Sequence, residues 1–313
     1  MNLSSREVFD LADRCFAATG FAAGSAGAYA KAVWWTEAYR GTGLTTLHGL
    51  LDDLPDLERT AVTLEDRESM VAAVDGGGQP ALLSAPPTLD LCCARADRRG
   101  FGVAHARAAA GRTAPTLGHV AYRAAKRGFV AVVLYWDGEA GGAVVGTPDQ
   151  PHPLLAERDL DAAPASYARL LAAVDAGLDH GDGPLTQAVF TRTGDHRHPT
   201  ADERLVGRLL ERSTEPAASR PDETGFVTLC IDPGHPRYPD RLEVLVERFV
   251  DESASRFTSV YRPAAVQERA ETLLREGVEV DREVWRDVFD CSSGILAPPF
   301  EGSHQGAGFD INE

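Results

Sequence analysis

Apolar residues recur at helical spacing from the start of the chain. Ser4 and Glu7 form a capping-box pattern, and Val8, Leu11, Ala12, Cys15 and Phe16 then follow at i, i+3, i+4, i+7 and i+8. This predicts a first helix, closed by Gly20. A second helix is predicted from about Ser25 to Arg40, through Tyr29, Ala32, Val33, Trp35 and Tyr39. The run GTGLTTLHGLLDDL at 41 to 54 predicts a third, short helix with Leu44, Leu47 and Leu51 on one stripe. His48 stands one step from Leu47 and four from Leu44, which places it at the edge of that buried stripe.

From about residue 62 the pattern changes. AVTLEDRESMVAAVDGGGQPALL reads as short strands joined by a Gly-rich turn at Asp75 to Gly78. A helix through Leu89, Leu91, Cys92 and Ala94 leads into a strand at 101 to 107, and HVAYRAAKRG predicts another helix before the apolar run FVAVVLYW. LTQAVFTR at 185 to 192 and GFVTLCID at 225 to 232 are further strand candidates. Strands alternating with helices predict an α/β fold with a mixed sheet.

The last third returns to helical spacing. Leu242, Leu245, Val246, Phe249 and Val250 follow Pro239 and Asp240, and VQERAETLLREG ends on Gly277, a fitting C-cap. The tail from Cys291 is Gly-rich and aperiodic, and is expected to be extended or disordered. The expected organisation is an N-terminal helical segment at 1–60, a central α/β domain at 61–235 and C-terminal helices at 236–290. Those helices are expected to pack with the N-terminal segment, and a tail at 291–313 follows.

Composition narrows the function classes. With 313 residues, 43% hydrophobic and 25% charged, the chain has the balance of a soluble globular protein. A formal charge of −16 opposes nucleic-acid binding, and no basic patch offsets it. No apolar run approaches a membrane span, and the N-terminus lacks the apolar core of a secretory signal. Five cysteines without CxxC spacing argue against a disulfide framework or zinc knuckle, so a cytoplasmic protein is expected.

The chain has no P-loop, GxSxG or HExxH, and GTGL at 41 to 44 lacks the strand and third glycine of a Rossmann fingerprint. Cys92 and Cys93 fall in a predicted helix and read as core. Asp179, His180, Asp182, Asp195, His196 and His198 could ligate a metal, but their Gly- and Asp-rich surroundings read as a solvated loop, and no metal is expected.

Several separated segments resemble the malate/L-lactate dehydrogenase family of the second type. They are LHGL at 47 to 50, VDGGG at 74 to 78, RRGFGVAHAR at 98 to 107, AAKRGFVAVVLYW at 124 to 136, GTP at 146 to 148 and LDAA at 160 to 163. GFVTLCIDP at 225 to 233, YRPAAVQERAETLLREGVEV at 261 to 280 and Trp285 complete the likeness, which spans roughly residues 3 to 290. That family reduces 2-oxo acids or cyclic imino acids with NADH or NADPH on a non-Rossmann fold. The resemblance implies a small-molecule substrate, a homodimer, His48 as the proton donor and Asp161 as its supporting carboxylate. It implies Arg107, Arg112, Gly146 and Thr147 at the cofactor, with Arg123 a further nearby cation. An imidazolium beside a carbonyl or imine that receives hydride neutralises the charge developing on the heteroatom.

The departures from the family pattern are specific. Leu47 stands where the family has serine, and Asp52 where it has a substrate-clamping arginine. AAAGRTAPTLG at 108 to 118 lacks the family's histidine, the turn at 146 to 148 lacks its asparagine, and the later lysine has no counterpart. Two rivals therefore accompany the oxidoreductase reading. The fold could serve without nicotinamide, as a lyase, isomerase, hydrolase or non-catalytic partner, or His180, His196 and His198 could build a metallohydrolase.

Overall fold

Ser4 starts the first helix through reciprocal hydrogen bonds with Glu7, each side chain accepting from the other residue's backbone N–H. In the computed structural model, which describes residues 1–57, 62–66, 71–109, 111–136, 141–148, 151–160, 224–234, 250–252 and 254–294, this helix is α1, Ser5–Ala18. α2 follows at Ala23–Arg40 and α3 at Gly43–His48. α3 crosses α2 so closely that a Cβ on Gly43 would lie 2.1 Å from the Val33 carbonyl oxygen. Leu44 and Leu47 are fully buried, and Glu37 of α2 accepts the Leu44 N–H at 2.7 Å. A carboxylate thus caps a helix start that has no side-chain cap of its own.

The strands are β1 (Asn2–Leu3), β2 (Thr63–Asp66), β3 (Val71–Pro80), β4 (Phe101–Ala109), β5 (Val130–Trp136), β6 (Gly141–Thr147), β7 (Leu154–Leu160), β8 (Gly225–Ile231), β9 (Ser259–Tyr261) and β10 (Val278–Glu279). Among the described residues the main sheet has eight strands in the order β2-β3-β4-β8-β5-β6-β7-β9. β3 and β4 are parallel, joined by the crossover helix α4 (Ala81–Arg99), and every other pair is antiparallel. The fold is α/β with a mixed sheet, as the alternation of patterns predicts. α5 (Gly118–Lys126) packs on β5 and β6 after a 3-10 segment at Gly111–Leu117.

α6 (Pro263–Glu276) ends at Gly277, and α7 (Arg282–Ser293) returns to the N-terminal helices. β1 pairs with β10, and Val280 and Val288 share a core with Val8, Leu11 and Phe16 of α1. α4 links the two main cores. Leu82 and Leu83 join that helical core, whereas Ala85, Leu89, Cys92 and Ala96 pack on the sheet. No described helix is long and apolar enough to cross a membrane.

Several expectations are corrected. Asp75 to Gly78 do not separate two strands but form an irregular turn inside β3, which runs on to Pro80. Gly77 and Gly78 have positive φ, the Gly77 N–H donates to Asp75 Oδ1, and the register with β4 shifts there. Gly76 is required by close approach, since a Cβ there would lie 2.4 Å from the Arg107 carbonyl oxygen of the parallel neighbour. α4 begins before Pro86 and Pro87, because burial of its first turns outweighs the helix bonds that proline removes. Gly146 and Thr147 are a buried strand end rather than a turn. Cys291 belongs to α7, so helix extends into the expected tail. The strand candidate at 185 to 192, the helix at 239 to 249, Asp161 and the possible metal ligands Asp179 to His198 lie outside the described residues.

Candidate functional site

His48 is the last residue of α3, which is pinned by buried Leu44 and Leu47, so its ring emerges at the rim of the helical core. Nε2 lies 2.8 Å from Oδ2 of Asp287, and the two side chains are 35% and 45% exposed. The ring is therefore open to solvent and not walled in by aliphatic neighbours. Asp287 is held by α7, whose start is capped by Asp281 accepting from Glu283 and Val284. The Val288 carbonyl accepts from the Cys15 thiol at 3.1 Å, which docks α7 onto α1.

A carboxylate on one ring nitrogen fixes the orientation of the ring and selects its tautomer. His48 has no further hydrogen-bond partner among the described residues, so Nδ1 remains for a ligand. The pair can take up and release a proton. Asp287 is absent from the sequence reading, which assigned the supporting carboxylate to Asp161, outside the described residues.

The residues assigned to a nicotinamide cofactor do not converge. Arg107 Nη2 lies 3.6 Å from Asp75 Oδ2. A Cβ on Gly146 would lie 2.8 Å from the Ala121 carbonyl oxygen, so this glycine seats α5 on β6. Thr147 is fully buried, with its hydroxyl lacking a hydrogen-bond partner among the described residues. The Arg112 side chain lies outside the described residues. Arg107, Gly146, Thr147 and His48 line neither the cleft at the C-terminal end of α2 nor the cavity between α2, α4 and α5, whereas Arg123, the further cation, lines the latter. Among the described residues, Arg107, Gly146 and Thr147 form no common cradle for a dinucleotide.

One cavity is an open cleft of about 580 Å³ at the C-terminal end of α2. Arg40 and Glu157 meet there at 2.8 Å, and Arg269 stacks 4.3 Å over the Tyr261 ring. Burial pushes the Glu37 carboxyl up, against hydrogen bonds from Leu44 and Gly43 that pull it down. The second cavity, of about 290 Å³, lies between α2, α4 and α5. His119, the second residue of α5, is pushed down to about 3 by burial and by the charges of Arg123, Arg127 and Lys31. His105, buried in β4, is pushed down to about 4 by burial and by Arg107. The described residues contain no group of His, Cys, Asp or Glu that could hold a metal. Cys92 and Cys93 are buried, as their helical setting predicts.

The mixed sheet between terminal helices defines a fold class shared with known dehydrogenases and reductases. Sulfolactate dehydrogenase from Methanocaldococcus jannaschii superposes with a TM-score of 0.56 at 14% identity, over 93% of this chain and 96% of that one. Malate dehydrogenase from Pyrococcus horikoshii gives 0.56 at 14% identity, over 94% and 95%. Delta1-piperideine-2-carboxylate reductase from Pseudomonas syringae gives 0.53 at 17% identity, over 93% and 99%. No protein-family profile matches the chain, and no curated protein matches it in sequence.

Proposed function

We propose that this protein is an oxidoreductase-like enzyme acting on a small 2-oxo acid, imino acid or related carbonyl compound, with His48 as proton donor and acceptor. The observation that carries the reading is the His48–Asp287 contact at 2.8 Å, half-open to solvent, on a fold shared with dehydrogenases and reductases. Asp287 holds one ring nitrogen and orients the imidazole, while the other nitrogen meets the substrate heteroatom. Asp161 remains a second supporting carboxylate in this reading, and a homodimer is part of it. NADH or NADPH would supply hydride to such a reaction, although the described Arg107, Gly146 and Thr147 form no cradle for it.

That same observation favours a second reading, in which the fold works without nicotinamide and His48 shuttles protons in a lyase, isomerase or hydrolase. Fluorescence titration with NADH and NADPH separates the two. Saturable binding supports the reductase, and no signal at millimolar cofactor leaves only the second. His48→Gln is expected to lower turnover by about 10²- to 10⁴-fold in either case. Unfolding stability should change by less than about 1 kcal/mol, because the pair is a third to a half exposed. Full turnover in this variant would remove His48 from the chemistry.

A further inference from the structure

The 290 Å³ cavity concentrates positive charge in a protein whose net charge is −16. Lys31 of α2, His119 and Arg123 of α5, and Arg127 just beyond it all line this space, with Asp90 of α4 as the one carboxylate. Asp90 is already engaged, accepting from Arg127 at 2.6 Å. Lys31 and Arg123 have no ion-pair partner among the described residues. Lys31 is exposed and Arg123 half-buried, so two positive charges border one small space at its solvent side. His119 adds ring N–H capacity without adding charge, since burial and its cationic neighbours hold it neutral near pH 7.

Glycines of α2 make the room. Gly24 and Gly27 both line the cavity, and Gly27, inside the helix, costs about 1 kcal/mol relative to alanine. Neither is required by close packing or by a positive φ. A Cβ on Gly24 would meet nothing within 4 Å, and one on Gly27 only Asp13 Oδ1 at 3.7 Å. The remaining walls, including Leu82, Ala85 and Val120, are apolar. The volume sits at the small end of ligand sites, roughly 300–1,000 Å³.

We infer that the cavity between α2, α4 and α5 is a binding site for a small phosphate monoester, with Lys31 and Arg123 holding the dianionic head and the apolar walls its short carbon stem. An ammonium and a guanidinium bordering one cavity match a phosphate dianion in charge and hydrogen-bond capacity. The site shares no lining residue with α3 or α7, which carry His48 and Asp287, so it stands independently of the chemistry assigned to them.

Calorimetric titration of the full chain with glycerol phosphate, inorganic phosphate and succinate, at matched ionic strength, tests the site. Saturable binding of glycerol phosphate is expected, with inorganic phosphate weaker and succinate weakest. Lys31→Gln and Arg123→Gln should each weaken it about tenfold or more. Lys126→Gln should leave it unchanged, because Lys126 binds the Pro151 carbonyl and lies outside the cavity. Gly27→Leu should abolish binding while leaving the protein at least as stable to urea, which separates a filled site from a damaged fold. The proposal is overturned if no phosphate compound binds saturably by 10 mM, or if Lys31→Gln and Gly27→Leu bind as the parent does. Succinate binding tighter than glycerol phosphate would overturn the phosphate assignment. NADH or NADPH binding that Arg123→Gln abolishes would instead make this space part of a dinucleotide site.

Discussion

Acid should destabilise this protein well before its carboxylates are protonated, because two histidines are held neutral in the fold. His105 is 5% exposed on β4, between Ala73 of β3 and Val227 of β8, and is pushed down to about 4. His119 is pushed down to about 3. In the unfolded chain both titrate near the ordinary 6.5. Between the folded and unfolded values the unfolded state binds more protons, so stability is full above about 6.5 and falls as pH drops toward 4. At pH 5 the unfolded imidazoles are almost all charged and the folded ones almost all neutral. Each site then costs about 2 kcal/mol relative to pH 7.5, and the two together about 4 kcal/mol. That is a large share of a typical 5–15 kcal/mol. Glu37 acts in the opposite sense. Its raised value means the folded state holds the extra proton above 4.5, so its contribution grows as pH falls through that window. Urea unfolding at pH 7.5, 6 and 5 measures the sum, and His105→Gln should reduce the loss between pH 7.5 and 5 by about 2 kcal/mol. Equal stability at pH 7.5 and 5, or an unchanged loss in the variant, would refute the reasoning.

Other perturbations test the packing. Glu157→Gln should cost about 3 kcal/mol in urea unfolding, since it leaves Arg40, only 20% exposed, without its 2.8 Å partner; Arg40→Met in the same chain should recover part of it. Gly118→Ala, which usually helps a helix, should instead destabilise by about 1–3 kcal/mol, because the new Cβ would lie 2.5 Å from Cη2 of buried Trp35. Cys291 is half-buried while Cys15, Cys92, Cys93 and Cys230 are buried, so it should be the first thiol alkylated by iodoacetamide. Mass spectrometry of the labelled peptides reads the order.

Local pattern carried α1, α5, β5 and β8, because each buries one face or both against a single neighbouring layer, and periodicity records that directly. It also placed His48 at the rim of its helix, since Leu44 and Leu47 must turn inward. The Gly-rich run showed the turn at Gly77 and Gly78 but not that one strand continues through it. Glycine marks both a turn and a close backbone approach, and only the parallel pairing with β4 shows that Gly76 serves the second. The same ambiguity hid the start of α4, where two prolines argue against a helix that tertiary burial nevertheless forms.

Amino-acid order by itself determined the α/β class, the helical termini and the exposure of one imidazole, all consequences of spacing within a few turns or strands. Folding alone decided the partners. Asp287 reaches His48 across 239 positions, Glu157 neutralises Arg40, and Lys31 joins Arg123 and Arg127 around one cavity. Those meetings arise from the packing of separate helices and strands, and the free energy of bringing charges together depends on distances through space that no local pattern encodes.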